Sequence, residues 1–314
     1  MKAFVKRDPA ATTVVPAEVP VPRVDAGELL VRIQAIGVGI HDGYFLTPTA
    51  GSEYPVGIEA SGVVEQTGAG VTRFRTGDRI AFVSSMQPKG GTWAEYAVVD
   101  AAALILPMPA ELSFVEAAAL PVVGNTVLRA FAALGKMPAG ATLFIAGGSG
   151  AIGTLAIQLA RQHGWHVAAS ASPQNHDYMR SLGAELTVDY HQQNSVEIVR
   201  TWRAGGVDAA IAVQPTTTID AMRTVKDNGT VVTVSADTVS PERGIRVTGL
   251  AYDADVQSGL DRLIADITEK RLHIEIERVY AFEQAPMALA RVQPRHVRGK
   301  LVLQLGTEDP GRGS

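Results

Sequence analysis

The chain has 314 residues, 46% hydrophobic and 19% charged, with 28 basic and 32 acidic side chains and a formal net charge of −4. That composition excludes a disordered charged tail and gives no electrostatic footprint for nucleic acid or an anionic membrane. Cysteine is absent, which excludes a thiol nucleophile, a disulfide framework and a cysteine-ligated zinc.

Along the chain, the N-terminal stretch from Met1 to Ala10 has no apolar signal core. No run reaches the ~18 apolar residues of a membrane helix, so a soluble, cytoplasmic chain of about two domains is expected. Residues 1–110 carry short apolar runs at Leu29–Ile36, Gly62–Val64, Arg79–Val83 and Glu95–Val99, divided by turn clusters such as Thr67-Gly68-Ala69-Gly70 and Lys89-Gly90-Gly91. Short strands punctuated by glycine predict a barrel-like or antiparallel β unit.

The pattern changes near residue 120. Apolar runs follow at Leu143–Ala146, Trp165–Ala169, Leu186–Val188, Ala209–Val213 and Val231–Val234, with a weaker sixth at Ile245–Leu250. Helical stretches separate them; in Ala151–Gln162 the residues Ile152, Leu155, Ala156 and Leu159 share one face. Strand–helix–strand at this period predicts parallel crossovers and a doubly wound sheet, with an irregular α+β domain as the alternative. A helix over Val256–Lys270 and a strand over Lys300–Leu305 close the sequence. The fold class expected is therefore α/β, with a split first domain (residues 1–119 and 258–314) and a dinucleotide-binding second domain (residues 120–257).

The strongest local signal is Gly147-Gly148-Ser149-Gly150-Ala151-Ile152-Gly153, which contains G-x-G-x-x-G between an apolar strand and a helix. Small residues let the backbone approach a diphosphate, and the helix N-terminus offers unpaired N–H groups and the positive dipole end. Glycines required for turn shape alone are the alternative. The hydrolase elbow G-x-S-x-G is not completed, because Ala151 rather than glycine ends the frame begun at Gly147 and the preceding residues are β-rich rather than α/β.

A site that prefers NAD usually has a carboxylate about 20 residues past the glycines. Here Ser170 stands there, within Ala168-Ala-Ser170-Ala-Ser172, and the first carboxylate is Asp177. NADPH is therefore expected. His176 and Arg180 share a helix face and offer positive charge, although a solvated Arg180 is equally compatible. The seven histidines are scattered, and His163 and His166 straddle Gly164, so no metal site is expected.

Several segments resemble the medium-chain dehydrogenase/reductase superfamily, in its zinc-independent quinone oxidoreductase branch. Pro55-Val-Gly57-Ile-Glu59-Ala-Ser-Gly62-Val-Val is similar to the family's P-x-G-x-E-x-x-G-x-V, and Gly77-Asp78 follows. Gly90-Gly-Thr-Trp-Ala94-Glu95-Tyr96, Leu120-Pro121 with Gly124-Asn-Thr126, and Arg298-Gly299-Lys300-Leu-Val-Leu resemble later signatures in the family's order. Ile58 stands where zinc members carry a histidine ligand.

The resemblance implies a GroES-like β domain beside a doubly wound cofactor domain, a homodimer, and NADPH-dependent reduction of a quinone or activated C=C bond. A non-catalytic NADPH sensor and a pathway-specific enoyl reductase are the alternatives. The resemblance also implies site residues. Gly147 to Gly153 would hold the diphosphate. Ser170, His176 and Tyr190 would meet the adenosine end. Thr126, Val213, Gln214, Ser235 and Ala236 would line the nicotinamide half. Of the family's N-x-x-D-x-Y-x-R-x-G, only Asp42 and Tyr44 match in Gly39-Ile-His-Asp42-Gly-Tyr44-Phe-Leu46-Thr-Pro48. Asp42 and Tyr44 are thus the substrate-pocket candidates. Tyr44 is the candidate catalytic residue, as a hydroxyl donor to the acceptor oxygen, with an aromatic that only fills space as the alternative.

Overall fold

The structure is a computed structural model that describes residues 1–8, 11–43, 54–84 and 89–306. It divides into two compact units, one formed by Met1–Val122 with Ile276–Ser314, the other by Val123–Glu275.

In the first unit, β1 (Lys2–Val5) and β2 (Val15–Glu18) pair antiparallel as a small separate sheet. The main sheet begins with β3 (Glu28–Val38), β4 (Glu59–Thr67), β5 (Arg79–Val83), β6 (Tyr96–Asp100) and β7 (Ile105–Pro107). Register shifts at Leu30/Val31 and Ile33/Ala35 break the β3–β4 ladder. Irregularities of this kind bend and twist a strand. Beside the β4 ladder, β3 pairs along Glu28–Arg32 with β6. The core beneath holds Leu29, Val31, Ile33, Ile80, Phe82, Trp93 and Ile105. Helix α1 (Phe114–Ala118) starts on a reciprocal cap, in which Glu116 N donates to Ser113 Oγ and Ser113 N to the Glu116 carboxylate. Helix α2 (Pro121–Leu134) begins on a proline, whose missing N–H costs nothing at a first helical position.

The second unit runs β8 (Thr142–Ala146), α3 (Ala151–Gln162), β9 (His166–Ser170), α4 (His176–Leu182), β10 (Leu186–Val188), α5 (Ser195–Trp202), β11 (Val207–Ala212), α6 (Thr218–Thr224), β12 (Val225–Thr233), β13 (Arg246–Thr248) and α7 (Gln257–Thr268). The sheet order is β10-β9-β8-β11-β12-β13, and every pairing is parallel. Strand order reverses between β8 and β11, the switch point beside which ligands dock in such sheets.

Two strands then rejoin the first unit: β14 (Ile276–Ala281) and β15 (Lys300–Gln304), with α8 (Ala285–Val292) between them. β15 pairs antiparallel with Ala35–Val38 of β3. The expected boundary at 257/258 is corrected, because residues 258–275 lie in the second unit. Helix α7 buries Leu260, Leu263, Ile264 and Ile267. Gln158 of α3 both donates to the His273 carbonyl and accepts from its amide, each at 2.9 Å. The paired amide ties the segment to α3. No helix among the described residues is long and apolar enough to cross a membrane.

Candidate functional site

Strand β8, buried throughout, delivers the chain to Gly147, whose φ of +93° suits glycine. The amides of Gly147 and Gly148 donate to the Ser170 carbonyl at 3.2 and 2.8 Å, pinning the turn to the end of β9. A Cβ on Gly153 would lie 2.3 Å from the Gly147 carbonyl oxygen and 2.6 Å from Gly148 Cα, so only glycine lets α3 approach the turn this closely. The opposite side is open. Gly150 is the N-cap of α3 with no side-chain cap, and a Cβ there would meet only the Gly147 oxygen, at 3.8 Å. The first helical bond runs from Thr154 N to the Gly150 carbonyl at 2.9 Å. The amides of Ala151, Ile152 and Gly153 precede it and have no partner within the helix. No acidic residue stands in the first turn. The turn, Ser149 included, therefore offers an uncapped, positively polarised and sterically open cradle, which fits a diphosphate.

The ends of β9 and β10 gather the residues expected at the adenosine end. Ser170 is buried. His176 Nε2 donates to the Ala171 carbonyl at 3.1 Å. The Ser172 hydroxyl lies 3.4 Å from Tyr190 Oη, and Tyr190, 45% exposed, stands over His191 with ring centroids 4.0 Å apart. Two neighbours were missed by sequence reasoning, Asp189 and His191. The Asp189 carboxylate accepts from His191 N at 3.0 Å and Nδ1 at 2.7 Å, and that backbone amide, aided by the two histidines, holds its carboxyl below the usual range. Arg180 is paired with Asp177 at 2.7 Å on the surface.

On the other side of β8, Val213 and Gln214 follow β11, while Ser235 and Ala236 follow β12. A Cβ on Gly147 would lie 3.0 Å from Gln214 Cγ and 3.4 Å from Val213 Cβ, so this strand end abuts the glycine turn. Ser235 Oγ lies 3.4 Å from the Gln214 carbonyl, which also accepts from Thr217 Oγ1 at 2.6 Å. Thr126 is half-buried in α2.

Tyr44 lies outside the described residues. Asp42 is 1% exposed, and its two oxygens accept from Gly39 N at 2.7 Å and Ile58 N at 3.0 Å. Burial pushes its carboxyl up to about 7, against the pull of the Gly39 amide and the Lys300 ammonium. Asp42 is the substrate-pocket candidate whose surroundings the structure describes. Asp42 is a buried tether between the Ile40–Gly43 turn and the approach to β4, because both oxygens are engaged by backbone. Beside it, Lys300 and Glu59 form a buried ion pair with side chains 7% and 1% exposed, and the second Glu59 oxygen accepts from Val122 N at 2.8 Å. Burial, with Arg295 and Lys300 nearby, lowers the pKa of His41. Among the described residues no group of three or more histidine or acidic side chains is arranged to hold a metal ion.

Family models match two stretches: the alcohol dehydrogenase GroES-like domain at residues 25–110, and the zinc-binding dehydrogenase domain at residues 182–303. The chain is 34% identical over 184 residues to a chloroplastic quinone-oxidoreductase homolog of Spinacia oleracea. That match covers 55% of each chain, so it spans about half of that relative's length. It is 27% identical over 317 residues to the chloroplastic NADPH-dependent alkenal/one oxidoreductase of Arabidopsis thaliana, covering 96% of this chain and 79% of that one. Among solved structures, the quinone oxidoreductase from Coxiella burnetii superposes with a TM-score of 0.88 at 27% identity, over 98% of this chain and 99% of that one. With a GroES-like β unit, a parallel sheet wound in the dinucleotide-binding order and a glycine turn at its switch point, the chain belongs to the medium-chain dehydrogenase/reductase superfamily, in its zinc-independent, quinone oxidoreductase-like branch.

Proposed function

We propose that this chain binds NADPH and reduces a quinone or a conjugated enone. The observation that carries the reading is the glycine turn, closed behind by Gly148 and Gly153 and open in front at Gly150, where three helix amides have no internal partner. Those amides would hold the diphosphate. Ser170, His176 and Tyr190 would receive the adenosine end. NADPH is favoured over NADH because no carboxylate ends β9 and the nearby Asp189 is engaged by His191. Thr126, Val213, Gln214, Ser235 and Ala236 would line the nicotinamide half.

When bound, the dihydronicotinamide supplies the hydride equivalent. The chain's own task is then alignment and water exclusion, because conjugation in the acceptor spreads the developing negative charge. Tyr44 would offer its hydroxyl to the acceptor oxygen, with Asp42 fixing the turn that leads to it. The quinone- and alkenal-reducing names of the relatives support this acceptor class. Stopped-flow oxidation of NADPH against a panel of quinones and enones tests the reading. Oxidation with at least one acceptor is expected. Tight coenzyme binding with no oxidation by any acceptor would overturn it in favour of a sensor. The reading extends to a cytoplasmic homodimer, and light scattering should return twice the 33.1 kDa chain mass.

A further inference from the structure

We propose that Asp237 is a positioning residue for the nicotinamide half of the coenzyme. It would act by fixing the two segments that leave β11 and β12. The inference rests on the coenzyme reading above.

The starting observation is backbone strain. Thr216, in the segment after β11, has φ +67°, and Ala236, in the segment after β12, has φ +58°. Left-handed backbone is uncommon for any residue with a side chain and is an outlier for β-branched threonine. Such conformations persist only where surrounding contacts over-determine them, and they concentrate at ligand clamps. Here the two strained residues follow neighbouring parallel strands at the same end of the sheet.

One side chain joins them. The Asp237 carboxylate accepts from Thr218 Oγ1 at 2.8 Å and is approached by Thr218 N at 3.4 Å. The nearby Thr216 amide and Ser235 hydroxyl also favour its charged form. Partial burial pushes the carboxyl up, but these donors outweigh burial and hold it below the usual range, so the group is an anion. Its own amide donates to Thr233 Oγ1 at 3.1 Å, and that hydroxyl oxygen lies 3.2 Å from Thr218 Oγ1. Ser235 carries the network on to the Gln214 carbonyl. Gln214 in turn stands against Gly147. Asp237 therefore ties the strained Thr216 segment to Ser235 and Ala236, and through them to the wall of the glycine turn.

The competing role is a cap for α6, whose first residue is Thr218. A cap would alter stability without distinguishing one half of the coenzyme from the other. Asparagine at 237 keeps the shape but has one acceptor oxygen, and its NH2 would face donors. The test uses the whole chain, with calorimetric titration of NADPH and of 2′,5′-ADP, a fragment lacking the nicotinamide half, plus thermal unfolding without ligand. Asp237→Asn should weaken NADPH by about tenfold, the loss expected for a charged hydrogen-bond acceptor. Binding of 2′,5′-ADP should stay within about twofold.

Equal weakening of both ligands, or no weakening of NADPH, would overturn the proposal. If the wild-type chain bound neither ligand, the coenzyme reading would fail and this inference with it. Wild-type binding of both ligands with an unchanged Asp237→Asn profile would sink the inference alone. Should Asp237→Asn not fold, Thr218→Val removes the 2.8 Å hydroxyl contact at similar volume and is read by the same ratio.

Discussion

Two glycines in one turn make opposite predictions. At Gly150 the backbone has φ −76° and ψ 169°, which alanine adopts freely, and the added Cβ would meet only one atom, at 3.8 Å. Gly150→Ala should cost the folded chain under about 1 kcal/mol, the scale of an N-cap change. Its methyl would nevertheless occupy the open side of the turn, where the backbone must approach a diphosphate. We expect NADPH affinity to fall by about ten- to a hundredfold, or about 1.4–2.7 kcal/mol. At Gly153 the added Cβ would sit 2.3 Å from a backbone carbonyl and 2.6 Å from Gly148 Cα, and neither can rotate away. Gly153→Ala should destabilise by at least the ~1–3 kcal/mol of core overpacking, whether or not coenzyme is present. Calorimetric titration with NADPH and urea unfolding without ligand read both variants. Wild-type affinity in Gly150→Ala would refute the diphosphate cradle. Wild-type stability in Gly153→Ala would refute the close approach of α3.

Lys300→Met strands the Glu59 carboxylate in the interior and should cost about 3–5 kcal/mol in urea unfolding. Adding Glu59→Gln should recover a large part of that loss, and a single variant as stable as wild type would contradict the buried pairing. Asp42 titrates in the folded chain at about 7, above its ordinary 3.8. The folded state thus binds the extra proton between these values, and this group's contribution falls as pH rises from about 4 to 7, by up to about 4 kcal/mol. Asp42→Asn should flatten that part of the stability–pH curve, and an unchanged slope would count against the burial-raised Asp42 carboxyl. Tyr190→Ala should weaken NADPH by about threefold or more and NADH less, as loss of a hydroxyl donor to the 2′-phosphate would; equal losses would remove Tyr190 from phosphate recognition.

Periodic features were legible in the sequence. Helix α3 lies over the predicted residues, and the runs at Leu143–Ala146 and Ala209–Val213 are central strands, because buried parallel strands read as continuous apolar segments. The glycine turn was legible because its strand and helix context is local. The missed features are contacts between distant segments. Asp189 and Asp237 look like ordinary loop carboxylates, and only the folded sheet brings Asp237 to Thr218. Asp42 was read through a motif, which identified the residue but not that Gly39 and Ile58 occupy both oxygens. The boundary near 257 was misplaced because an amphipathic helix does not reveal which partner covers its apolar face.

The pairing of β3 with β15 has a consequence for the order of assembly. The second unit is one uninterrupted stretch, whereas the sheet of the first needs Lys300–Gln304 beside a strand that begins at Glu28. During synthesis the parallel sheet can close while the other unit still waits for its last strand. Early-made segments such as Glu28–Val38 must stay unaggregated until then, and long-range closure of this kind is slow.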